Sequence, residues 1–79
     1  MGQAITALEE IKASSSYSTS YDGVYNRAID AINGGDTEDY ASLRSAADAL
    51  EGANATVFAD AVKYMRSAAN SLESYEAYK

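Results

Sequence analysis

Residues 54–75 read NATVFADAVKYMRSAANSLESY. Phe58, Val62, Met65, Ala69 and Leu72 recur at spacings of four, three, four and three, which is the period of a helix with one apolar face. A second stripe, Val57, Ala61, Tyr64, Ala68 and Tyr75, lies beside the first. A face this wide exceeds what one neighbouring helix covers. It touches two neighbours inside the fold, or one neighbour and one outside partner.

Working back from this helix, three shorter ones are expected. Ala4, Ile5, Leu8 and Ile11 form one stripe of a helix over 3–13, and Ser14, Ser15 and Ser16 end it because serine hydroxyls compete for backbone hydrogen bonds. A second helix over 20–32 carries Tyr21, Val24 or Tyr25, Ala28, Ile29 and Ile32, with Ser18, Thr19 or Ser20 as its cap. The Ser-Tyr alternation of residues 15–21 also allows a short strand. Asn33-Gly34-Gly35 is the clearest break, since Asn and Gly accept the left-handed conformation that closes helices. Asp36 is the best cap for a third helix over 37–51, which carries Tyr40, Leu43, Ala47 and Leu50 and is expected to stop at Gly52. Asn54 or Thr56 starts the last helix, over 55–76. Short joints make successive helices antiparallel. The expected fold is therefore all-α, a single domain over residues 1–79 built as a small antiparallel four-helix bundle.

The core is expected to be thin. Ile, Leu, Val and Phe together account for 12 of 79 residues, below the roughly one-fifth at which high net charge makes disorder competitive. Ala, at 16 residues, and Tyr, at 7, supply most of the other apolar surface. Several tyrosines must then be core residues with the hydroxyl at the rim. Tyr21, Tyr25 and Tyr40 lie on core stripes, whereas Tyr17, Tyr64, Tyr75 and Tyr78 are harder to bury together.

Composition excludes much chemistry. The chain has no Cys and no His, so it has no thiolate nucleophile, zinc-thiolate site, disulfide or imidazole base. The carboxylate pairs Glu9 with Glu10 and Glu73 with Glu76 lack the deep cleft that glycoside hydrolysis needs. No serine has an obvious activator, and enzymatic activity is not expected. A calcium loop across residues 30–39 fails because Ile32 falls where an oxygen ligand is required. No cofactor and no metal are expected. Asn54-Ala55-Thr56 matches a glycosylation acceptor but reads better as a helix cap. Met-Gly-x-x-x-Thr at the start meets a myristoylation pattern only formally. No stretch resembles a secretory leader or a membrane span, which points to the cytoplasm, or a host cytoplasm for a viral protein.

Charge is the strongest functional signal. Twelve acidic residues against six basic ones give a net charge of −6. The basic residues Lys12, Arg27, Arg44, Lys63, Arg66 and Lys79 form no concentrated patch. Such a chain is repelled by nucleic acid and anionic membranes and attracted to basic protein surfaces. Tyr is enriched at binding hot spots because it offers large area at small entropic cost. The candidate partner-binding residues are Asp36, Glu38, Asp39, Tyr64, Glu73, Tyr75, Glu76 and Tyr78, although Asp36, Glu38 and Asp39 equally suit the start of a helix.

The expected function is a small acidic helical binding module that acts as an antagonist, occupying the nucleic-acid-binding surface of a partner protein. Phage-encoded inhibitors of host defence complexes such as CRISPR are often of this size and sign, an analogy of class that no motif carries. The alternatives are a self-associating assembly protein, such as a homodimer, and a general adaptor without charge mimicry.

Overall fold

A computed structural model describes residues 2–33 and 40–77. Four α-helices run in chain order: α1 (Gly2–Ala13), α2 (Asp22–Asn33), α3 (Tyr40–Asn54) and α4 (Ala59–Ala77). They close a ring in which α1 packs on α2, α2 on α3, α3 on α4 and α4 on α1. The protein is a small antiparallel four-helix bundle. No strand forms among the described residues. The Asn33-Gly34-Gly35 break from Gly34 on and the Asp36 cap fall in residues 34–39, outside the described residues.

The apolar stripes converge on one core. Phe58, Leu8, Leu43, Leu50 and Met65 are its largest fully buried side chains. Each contributes about 1.5–3 kcal/mol by leaving water. Between them lies a seam of methyl groups, since Ala28, Ala46, Ala47, Ala61 and Ala69 are all 0% exposed. Small side chains at helix–helix contacts are the kind that permit a close approach of the axes. The periodicity missed Ala7 and Ala46, which are buried, while Ile5, Ile11, Val24, Ile29 and Leu72 only flank the core.

Tyrosine completes the core, and Tyr17, Tyr21 and Tyr25 cluster where α1 hands over to α2. Tyr25 is buried, and Tyr17, Tyr21, Tyr40 and Tyr64 pack half-buried against the core. Tyr17 meets Tyr21 and Tyr25 edge-on, with ring centroids 6.0 and 5.7 Å apart, and Tyr21 meets Phe58 at 5.3 Å. Edge-to-face pairing of this kind adds to simple area burial. Tyr17 therefore belongs with the core tyrosines, not with the leftover ones.

The joints explain where the expected boundaries moved. At the end of α1 the Ser14 hydroxyl donates to the Ile11 carbonyl at 2.7 Å, serine competing for the backbone as expected. Residues 15–21 form no strand. Ser18 caps a single 3₁₀ turn, Thr19–Tyr21, by accepting from the Ser20 amide, and α2 follows at once. Gly52 does not stop α3, which runs on to Asn54. A β-carbon at Gly52 would meet nothing within 4 Å, so the site tolerates ordinary helix and has no turn to make. The stop is at Asn54, whose Oδ1 accepts from the amides of Thr56 and Val57 at 3.1 and 3.0 Å. Asn54 thus ends one helix and caps the turn into the next. Regular α4 begins only at Ala59, after that turn. The Asn54 Nδ2 donates to the Tyr21 hydroxyl at 2.9 Å, tying this joint to the aromatic end of the core.

Candidate functional site

Because the core takes the inward faces, what distinguishes one side of the bundle from another is the pattern along the four helix–helix seams. The α3–α4 seam is closed by ions. Arg44 grips Glu73 through two nitrogens, at 2.8 and 3.3 Å, and donates to Asn70 at 2.9 Å. Arg66 does the same to Glu51, at 3.1 Å twice, and reaches Asp48 at 2.7 Å. The bidentate geometry fixes both guanidiniums. Hydrogen bonding to Arg44 and its charge hold the Glu73 carboxyl below the usual carboxylate range, and both guanidiniums are pushed up in turn by their carboxylate partners.

Two other seams hold charges of both signs. Arg27 and Asp30 line the α2–α3 seam with small residues beside them, in a trough of about 470 Å³, and Arg27 donates to Ser45 at 3.3 Å. On the α1–α2 seam Lys12 sits 4.8 Å over the Tyr25 ring with Glu9 alongside. Burial, then the charge of Glu9, pushes the Tyr25 phenol up. Tyr17 is pushed up to about 12, first by burial and then by donating its hydroxyl to Asp22.

The α1–α4 seam differs in kind. It carries two adjoining troughs that share Gln3 and Tyr64. One, of about 430 Å³, is floored by Ala4, Ala68 and Leu72 and walled by Tyr75. Tyr75 is 66% exposed and is the exposed large hydrophobic side chain among the described residues. The other, of about 510 Å³, runs past Thr6 and Ala7 to Glu10 and Asp60. Neither carboxylate has a salt bridge among the described residues. The nearby cation is Lys63, 5.9 Å from the centre of the Tyr64 ring. This seam is therefore mainly apolar and phenolic at one end, where Ser67 and Ser71 also line it, and acidic at the other, and it is the candidate site.

Of the residues expected from sequence to contact a partner, Tyr64 and Tyr75 meet here. Glu73 does not, because it faces α3 in the pair with Arg44. Two residues along a helix turn through about 200°, so Glu73 and Tyr75 occupy opposite flanks of α4. Asp36, Glu38, Asp39 and Tyr78 lie outside the described residues, and the side chain of Glu76 is not described. Glu10 and Asp60 were missed. Nothing local marks them; only the pairing of the first helix with the last brings them together. The same pairing separates Glu9 from Glu10 onto different seams, so they form no carboxylate pair across a cleft.

Among the described residues no group of three or more Asp or Glu side chains is placed to hold a metal ion, and no helix is long and apolar enough to cross a membrane. Comparison with known proteins finds no matching family model, no matching curated protein and no matching solved structure.

Proposed function

We propose that this protein is a small acidic binding module that acts as an antagonist, competing with nucleic acid for the basic surface of a partner protein in the cytoplasm. The observation that carries the reading is the fate of the cations among the described residues. Arg27, Arg44 and Arg66 are each committed to a partner within the bundle, and Lys12 and Lys63 lie over tyrosine rings. Glu9, Glu10, Asp30 and Asp60 meanwhile carry no salt bridge among the described residues. The chain carries a net charge of −6, and these four carboxylates add to its outward negative field. Such a field accelerates encounter with Lys- and Arg-rich surfaces and disfavours polyanions. A host defence complex that grips DNA or RNA through such a surface is one target this competitor suits.

The test is capture of partners on the immobilised protein from a lysate of its source cells at two ionic strengths, followed by elution with duplex DNA or with RNA. The reading expects a nucleic-acid-binding protein that is retained less at high salt and released by the polyanion. Retained proteins that ignore both salt and polyanion count against it.

A further inference from the structure

Resting on that reading for the sign of the partner, we infer that the α1–α4 seam seats one basic amphipathic helix, the part of the partner this module grips. From Asp60 to Tyr75 is fifteen residues of α4, about 22 Å at 1.5 Å per residue. An occupant lying along the seam is therefore about four helical turns long. The order of chemistry along the seam fixes the order along the occupant. Over Ala68, Leu72 and Tyr75 it presents apolar anchors, and over Glu10 and Asp60 it presents Lys or Arg.

A groove between two helices accepts the ridge of a third, the mode by which helix-binding proteins take their targets. The small floor residues Ala4 and Ala68 leave room for large anchors such as Leu, Met or Phe. Tyr64, shared by both troughs, sits under the change from apolar to basic contacts. The competing occupant is a second copy of this chain. It would bring another net −6 and another Glu10 and Asp60 to the same place.

The experiment uses the full chain and three synthetic peptides of about fifteen residues, followed by fluorescence anisotropy and by amide chemical shifts. The first peptide is a basic amphipathic helix with the order deduced above. The second has the same composition scrambled so that no helical face forms. The third keeps the apolar face and replaces Lys and Arg by Gln. Binding of the first at least about tenfold tighter than either control, with shifts confined to Gln3, Thr6, Glu10, Asp60, Tyr64, Ala68, Leu72 and Tyr75, is the expected result. Tyr75→Ala, at an exposed position that does not threaten folding, is expected to weaken that binding about tenfold. Glu10→Gln with Asp60→Asn is expected to flatten its salt dependence.

Equal binding of the scrambled peptide overturns the seam as the docking site while leaving charge mimicry standing. Equal binding of the Gln peptide overturns the basic partner and with it the proposed function. Shifts of the same residues on concentrating the protein alone, together with a dimer mass in light scattering, make the occupant a second copy and overturn the inference.

Discussion

Asn54→Ala tests the joint on which the order of the bundle depends. The Asn54 side chain accepts from two amides, those of Thr56 and Val57. Removing a cap of this kind costs about 1 kcal/mol. It also donates to the half-buried Tyr21 hydroxyl, and one lost hydrogen bond of that type costs about 1 kcal/mol more. The expected destabilisation is about 2 kcal/mol, or a fall in Tm of about 8–16 °C for a domain of this size. Thermal and urea unfolding followed by circular dichroism read both quantities. Asn54→Asp keeps the two accepted bonds and lets the Tyr21 hydroxyl donate in place of accepting, so it should stay near the parent protein. In a double-mutant cycle with Tyr21→Phe, the pair should lose less than the two singles together by about 0.5 kcal/mol or more. A loss below about 0.5 kcal/mol for Asn54→Ala, the level of an ordinary surface change, or strict additivity with Tyr21→Phe, would refute the argument that one side chain both caps the turn and holds the aromatic end.

Phe58→Ala should cost about 3–5 kcal/mol, because Phe58 is fully buried and meets Tyr21; urea titration measures it, and a loss under about 1 kcal/mol contradicts the placement of Phe58 in the core. Arg66→Gln should leave the unfolding midpoint close to that of the parent protein, since Arg66 and its carboxylate partners are exposed to solvent; the same unfolding experiment at low salt checks this, and a large fall in the midpoint contradicts it. Tyr17 ionises later in the folded protein than in the unfolded chain, so its contribution to stability is complete below about pH 10 and is lost as the pH rises through about 12. Tyr17→Phe should remove the latest step of the phenolate absorbance titration. Glu73 has the opposite sign. Its carboxyl is lowered by Arg44, so its contribution is present above the ordinary Glu range near pH 4.3 and fades as the pH falls through the lowered value. Acid titration of Arg44→Gln, followed by the Glu73 side-chain resonance, should show that carboxyl back in the ordinary range.

The four helices were readable because each apolar stripe repeats at helical period, and Leu8, Leu43, Leu50, Phe58 and Met65 went where their stripes put them. The ends were less readable. Gly52 looked like a stop because glycine weakens a helix interior, yet the helix continues through it, and the residue that ends α3 does so by bonding forward to amides of the next turn. Of the candidate site, Tyr64 and Tyr75 stood out on the second stripe of α4. Glu73 looked equally available because its partner, Arg44, is 29 positions away in sequence. Glu10 stood out only as the neighbour of Glu9, and Asp60 not at all, since fifty residues separate two carboxylates that share one trough only after α1 and α4 pack together.

The alanine seam has a consequence for how this molecule can change. At Ala28, Ala46, Ala47 and Ala69 there is little freedom in either direction. A bulkier residue overpacks a fully buried site at a cost of about 1–3 kcal/mol, and glycine forfeits about 1 kcal/mol of helix preference. The outward positions face no such squeeze. Substitutions there can redraw the molecule's electrostatic outline and still leave its frame intact. Over generations of mutation, such a body is free to change its exterior while its interior stays almost fixed.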